Sequence, residues 1–119
     1  MITDIQITQV YDALDCLVIR LDPPDRIGFI NRYGLRWLGY SQSKEIVGNA
    51  IASIFVGDDE SGNTLLALLG SGSLPPQDTL IETSLLHHDG SHLRVAWLIN
   101  APGNSIHEGT LMFGFNVAG

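Results

Sequence analysis

Apolar and polar positions follow a period of two near both ends of this chain and a broken helical period between them. Residues 16–21 alternate, with Leu17, Ile19 and Leu21 on one side and Cys16, Val18 and Arg20 on the other. That pattern predicts a strand with Leu17, Ile19 and Leu21 facing inward. Asp22-Pro23-Pro24-Asp25 must stop it, because proline has no amide hydrogen to give a ladder. Residues 27–30 then read as a second short strand, so the two form a hairpin. Ahead of them, residues 3–14 set Ile5, Val10 and Leu14 loosely on one helical face, with Thr3 as a candidate cap. Such a helix can pack on its own sheet or on a partner.

The middle of the chain is cut by glycine. Asn31 is placed to cap a helix over 32–38, since its side-chain oxygen can accept from an early helical N–H, and Gly39 ends that helix. Ser41 is the expected cap of a second short helix running to Val47 and closed by Gly48. Residues 51–55 predict an apolar helical turn, and 63–69 another, followed by Gly70-Ser71-Gly72-Ser73. Four short helical pieces in succession make an irregular cover rather than a bundle.

The period of two then returns. Residues 79–86 are β-like, and His88-Asp89-Gly90-Ser91 holds the Asp-Gly pair of a hairpin turn. Residues 92–101 alternate cleanly, with Leu93, Val95, Trp97 and Ile99 on one face. Pro102-Gly103-Asn104-Ser105 breaks the run, and 109–117 resumes it with Leu111, Phe113 and Phe115 on one face. Three strands joined by two turns predict an antiparallel meander. The element order ββααααβββ is that of an α+β domain, a five-stranded antiparallel sheet with short helices packed on one face.

Composition narrows the partners. With 119 residues, 45% hydrophobic and 16% charged, the chain suits one globular core, expected to fill 1–119 as a helical cap (1–14) and a core (15–118). The formal charge is −7, and Arg20, Arg26, Arg32, Arg36, Lys44 and Arg94 are scattered, so the clustered cations that displace counterions from nucleic acid are missing. No apolar run approaches the roughly twenty residues of a membrane helix, and the first ten residues do not have the build of a signal peptide. A cytoplasmic protein without direct membrane insertion is expected. The one cysteine, Cys16, excludes an internal disulfide.

Several segments resemble the PAS, or sensory-box, family. Arg26-Ile27-Gly28-Phe29-Ile30-Asn31 is similar to that family's strand-to-helix entry. Trp37-Leu38-Gly39-Tyr40-Ser41 with Glu45-Ile46-Val47-Gly48 resembles its "hhGYs…E-h-h-G" stretch, with h apolar. Asp89-Gly90-Ser91 with Trp97 and Pro102 resembles its later hairpin, and Gly109 with Gly114-Phe115-Asn116-Val117-Ala118 its closing strand. The resemblance runs from about Ala13 to Ala118, in order and at matching spacing. It departs at Asn116-Val117-Ala118, where many relatives carry Asp-Ile-Thr and couple the last strand to a following helix. The chain stops at Gly119, where that helix would begin, and so reads as a piece of a longer signalling protein.

The resemblance implies a sensory module with no chemistry of its own. Its linked output would be a histidine kinase of a two-component system, a diguanylate cyclase or a transcription regulator, and a homodimer is expected. Flavin-binding members present a cysteine where this chain has Gly48-Asn49-Ala50-Ile51-Ala52-Ser53, and haem-binding members a histidine where 63–69 has none; both cofactors are disfavoured, and an unknown small-molecule ligand stays open. His87, His88 and Asp89 are near one another, but neighbours on a strand point to opposite faces, so no metal site is assigned. Asp58-Asp59-Glu60 reads as solvated surface. Ile19, Phe29, Trp37, Phe55, Leu93, Val95, Trp97 and Phe113 are the candidate pocket, although large side chains at these periods more often make plain core. Two rivals remain: a ligand-free dimerisation module whose first helix is the sticky surface, and a small cone-shaped isomerase using Glu82 and Tyr33.

Overall fold

A computed structural model describes residues 4–23, 25–71, 80–100 and 110–117. The expected cap Thr3, the side chain of Ile5 and the segments 72–79, 101–109 and 118–119 lie outside the described residues. Helix α1 (Asp4–Asp12) leads into strands β1 (Leu17–Asp22) and β2 (Arg26–Ile30), then helix α2 (Arg32–Leu38). Two 3₁₀ turns, Ser43–Glu45 and Ile51–Ile54, precede helix α3 (Glu60–Gly70), and β3 (Ile81–Leu86), β4 (His92–Asn100) and β5 (Thr110–Asn116) complete the order. The strands form one antiparallel sheet in the order β2-β1-β5-β4-β3. The two ends of the chain's β structure thus meet at its centre, where β1 pairs with β5. Among the described residues, no helix is long and apolar enough to cross a membrane.

Register assigns the faces. Ile19 pairs with Met112 and Ile99 pairs with Met112, while Trp97 lies opposite Gly114 and Ile81. Those side chains share the inner face with Leu17, Leu21, Val95 and Leu85, and the helical layer closes over them with Leu38, Ile46, Ile51, Ile54, Phe55, Leu65 and Leu69. The alternation expected of β4 holds for Val95, Trp97 and Ile99, which are buried, against Arg94, Leu98 and Asn100, which are exposed, while Ala96 on the other face is buried as well and Leu93 only partly so.

The helical layer is held by caps. Asn31 Oδ1 accepts from Gly34 N–H at 3.0 Å, as its position before the helix predicts. The cap expected of Ser41 works differently. The Glu45 carboxylate, three residues inside the turn, reaches back to accept from the Ser41 and Gln42 N–H groups and from the Ser41 hydroxyl at 2.7 Å. The Ser41 hydroxyl, followed by the Gln42 amide, holds the Glu45 carboxyl below its ordinary range. The acidic run is also more than solvated surface. Asp59 caps α3 through Gly62 N–H at 3.2 Å, accepts from Ser84 N–H at 2.8 Å and sits 3.7 Å from Arg94. One carboxylate therefore ties α3 to β3 and β4.

Gly39 shows how the β3–β4 turn is docked. It closes α2 in the left-handed region at φ 87°, and an added Cβ would lie 2.3 Å from Cε1 of His87. His88 N–H donates to the Leu38 carbonyl at 2.8 Å, and its ring packs on Tyr40. Gly48 has a similar φ of 93° but open space beside it. We expect Gly48→Ala to cost about 1 kcal/mol, from the backbone alone. Gly39→Ala should cost about 2–3 kcal/mol, because the His87 ring must also move. Urea unfolding checks both; equal losses would mean the His87 contact contributes nothing.

Candidate functional site

The inner face gathers most of the candidate pocket residues, so its polar groups matter most. Trp97 is fully buried, and its ring lies parallel to Phe55 with centroids 6.2 Å apart. Its indole N–H donates to Thr83 Oγ1 at 2.7 Å, which satisfies the one polar atom of the ring and that of its buried neighbour. Gly114 lies beneath: a Cβ there would sit 2.9 Å from Val95 and 3.0 Å from the indole. The glycine is what lets so large a ring lie flat against the sheet.

Of the eight candidate pocket residues, Ile19, Phe55, Val95 and Trp97 converge in this core, with Trp37 and Leu93 packed against its margin. Phe29 and Phe113 do not join them. Phe113 pairs with Val18 and Leu98, and Phe29 with Arg20, which puts both rings on the opposite face of the sheet. The core positions of β5 are Met112 and Gly114 instead. Alternation sorts residues into two faces; only pairing register tells which face is inside.

That opposite face has its own cover. The Tyr11 ring of α1 packs 5.9 Å from Phe29 and 6.4 Å from Phe113. Val18, expected to point away from the core, is fully buried there. The helices therefore do not all share one face: α1 takes the far side, and Leu98 (37% exposed), Phe115 (43%) and Val10 (57%) remain uncovered around it. Asn31 joins α1 to the rest. Buried at the start of α2, it donates to the Tyr11 and Cys16 carbonyls at 2.8 Å each and accepts from Val18 N–H at 2.9 Å.

The remaining candidates are dispersed. The 48–53 segment has no thiol, Trp97 stacks on Phe55 at the inner face, and among the described residues no buried side-chain nitrogen or oxygen lacks a partner. Cys16 lies at the entry to β1, and burial followed by the Asp15 charge pushes its thiol up, away from the reactive thiolate. His87 Nδ1 lies 2.9 Å from Asp89 Oδ1, while His88 turns to Tyr40. Among the described residues, no three His, Cys, Asp or Glu side chains are grouped to hold a metal. Glu82 faces Arg94 at 3.6 Å on the outer side of β3, and Tyr33 packs on Trp37, so the structure does not bring the isomerase pair together.

No protein-family model matches the sequence, and no curated protein does. Solved structures do. The PAS domain of an HTR-like protein from Haloarcula marismortui superposes with a TM-score of 0.72 at 18% identity, over 94% of this chain and 95% of that one. The LOV protein of Rhodobacter sphaeroides gives 0.75 at 16% identity, over 94% of this chain and 66% of the other. The LOV domain of a blue-light activated histidine kinase from Erythrobacter litoralis gives 0.67 at 11%, over 89% and 99%. At such identities the likeness is one of fold. Superposition on these PAS and LOV structures over nearly the whole chain, with a single five-stranded antiparallel sheet, gives this protein the PAS fold.

Proposed function

We infer that this PAS-fold domain is a non-catalytic sensory relay, pairing with a second copy through α1 and the outer face of the sheet and passing a change of packing to a linked output domain. One observation carries the reading. The outer face is built of apolar side chains (Phe29, Leu98, Phe113 and Phe115), and α1 covers only part of them. Apolar surface gathered beside an amphipathic helix is the ordinary mark of an interaction site. The blue-light activated histidine kinase among the similar structures supports a signalling output of that class, with a diguanylate cyclase or transcription regulator as the other options. Among the described residues, the stacking of Trp97 on Phe55 and the satisfied polar atoms of the core support a neighbouring domain or subunit as the trigger over a small molecule there.

Sedimentation equilibrium tests the pairing. The domain should dimerise with a dissociation constant below about 100 μM, and Leu98→Glu with Phe115→Glu should weaken pairing at least 100-fold, about 3 kcal/mol. Both positions are exposed, so the variant should keep its melting temperature. A domain that stays monomeric at about 1 mM would remove this reading. The same preparation should be colourless; a visible absorption band would restore haem or flavin to the inner face.

A further inference from the structure

A second site is built away from the core. A cleft of about 530 Å³ opens between the end of α1, the edge strand β2, the start of α2 and the Ser43–Glu45 turn. Its apolar lining is Phe29, Ile30, Leu35 and Val47, and Arg32 and Lys44 also line it. Such a volume is that of an ordinary small-molecule cleft.

The charges are unusual for this chain. It carries only six Lys and Arg against thirteen Asp and Glu. Arg20, Arg26 and Arg94 have acidic partners. The side chains of Arg32, Arg36 and Lys44 have none among the described residues, and two of those three line this one cleft. The cleft also holds one acidic group, Asp12, whose Oδ1 accepts from the main-chain N–H of Arg32 at 2.8 Å, so two cations stand against one carboxylate there. An apolar wall with two cations that have no acidic partner among the described residues, in an otherwise acidic protein, is complementary to an anion attached to an apolar body.

We propose that this cleft binds a small carboxylic acid with an aliphatic or aromatic body, its carboxylate held by Arg32 and Lys44 and its body laid on Phe29, Leu35 and Val47. The site lies apart from the inner face and needs no rearrangement of Trp97. Because Asp12 is the last residue of α1, an occupant would touch the helix that covers the outer sheet face, and so would bias how α1 is seated.

Titration of the ¹⁵N-labelled domain with sodium octanoate tests this, with octanol as the uncharged control. Saturable shifts are expected at the amides of Gly28, Ile30, Leu35 and Val47, with a dissociation constant below about 1 mM and octanol at least roughly tenfold weaker. Arg32→Gln combined with Lys44→Gln should weaken octanoate binding by roughly tenfold or more, and Arg36→Gln, outside the cleft, should leave it unchanged. The Asp12 bond is to a main-chain amide, so it survives the substitution, and the spectrum itself reports folding. Absence of saturable shifts at those amides up to about 10 mM, equal binding of octanol, undiminished binding by the double variant, or shifts centred on Trp97 would each overturn the assignment. A monomeric protein that still binds octanoate would sink the pairing reading and leave this site standing.

Discussion

Trp97→Ala is expected to remove about 3–5 kcal/mol of stability, a large share of what a domain of this size has to lose. Three effects add. The ring is fully buried and parallel to Phe55, so its removal forfeits both transfer energy and packing around the void. The surroundings close poorly, because the floor of the void is Gly114, which has no side chain to move into it. Thr83 Oγ1 then loses its partner in a buried position, at about 1–3 kcal/mol for an orphaned group. Trp97→Phe keeps a ring beside Phe55 but loses the five-membered ring and the hydrogen bond to Thr83, so the loss should be smaller, about 2–3 kcal/mol. The converse change, Gly114→Val, should match Trp97→Ala in direction, since its Cβ alone would already lie within 3.1 Å of three side chains. Urea unfolding with an unchanged slope measures all three. A loss below about 1 kcal/mol for Trp97→Ala would mean the ring is not the keystone of the inner face.

The contrast between Trp97 and Phe113 shows what the sequence can and cannot say. Along β4, Leu93, Val95, Trp97 and Ile99 alternate with Arg94, Ala96, Leu98 and Asn100, and Val95, Trp97 and Ile99 are indeed inside. Along β5 the same reasoning favours Leu111, Phe113 and Phe115, and it fails: the inner positions are Thr110, Met112 and Gly114. Two conditions outside the strand reverse the preference. The indole of Trp97 occupies the space that a large side chain at 114 would need, and Tyr11 supplies a second apolar cover that accepts Phe113 on the far face. Neither is visible in the local pattern, since both depend on pairings distant in sequence. Asp59 was hidden for a different reason. A carboxylate before a helix is a capping signal, but it is embedded in Asp58-Asp59-Glu60, where charge density masks the one residue with a partly buried, capping role. Asn31 stood out because its neighbours are apolar and a helix follows, and there local chemistry and tertiary structure agree.

Asn31→Asp is the most informative single change in the molecule. The side chain is fully buried and nearly isosteric with its replacement, so the substitution opens no cavity. Oδ1 would go on accepting from Val18 and Gly34 N–H. The other terminal atom changes from a donor to an acceptor, facing the Tyr11 and Cys16 carbonyls at 2.8 Å, where two attractive contacts become repulsive. At neutral pH the expected loss is about 3–4 kcal/mol, from two buried carbonyls left unpaired beside a carboxylate. The sign with pH follows. Burial and facing carbonyls favour the protonated acid in the folded state, so its folded pKa lies above its unfolded one. The variant should therefore be least impaired at acidic pH, where a protonated carboxyl can donate to one carbonyl, and lose stability as pH rises through the ordinary carboxylate range. The wild type, with a neutral amide, has no such dependence at this position. The damage should also be directional. Tyr11 belongs to α1, so amide exchange across 10–14 should quicken more than exchange within β4, where Trp97 and its neighbours keep every contact. If exchange rises uniformly instead, Asn31 acts on global stability alone. A selective rise would identify it as the latch that seats the first helix on the outer face of the sheet.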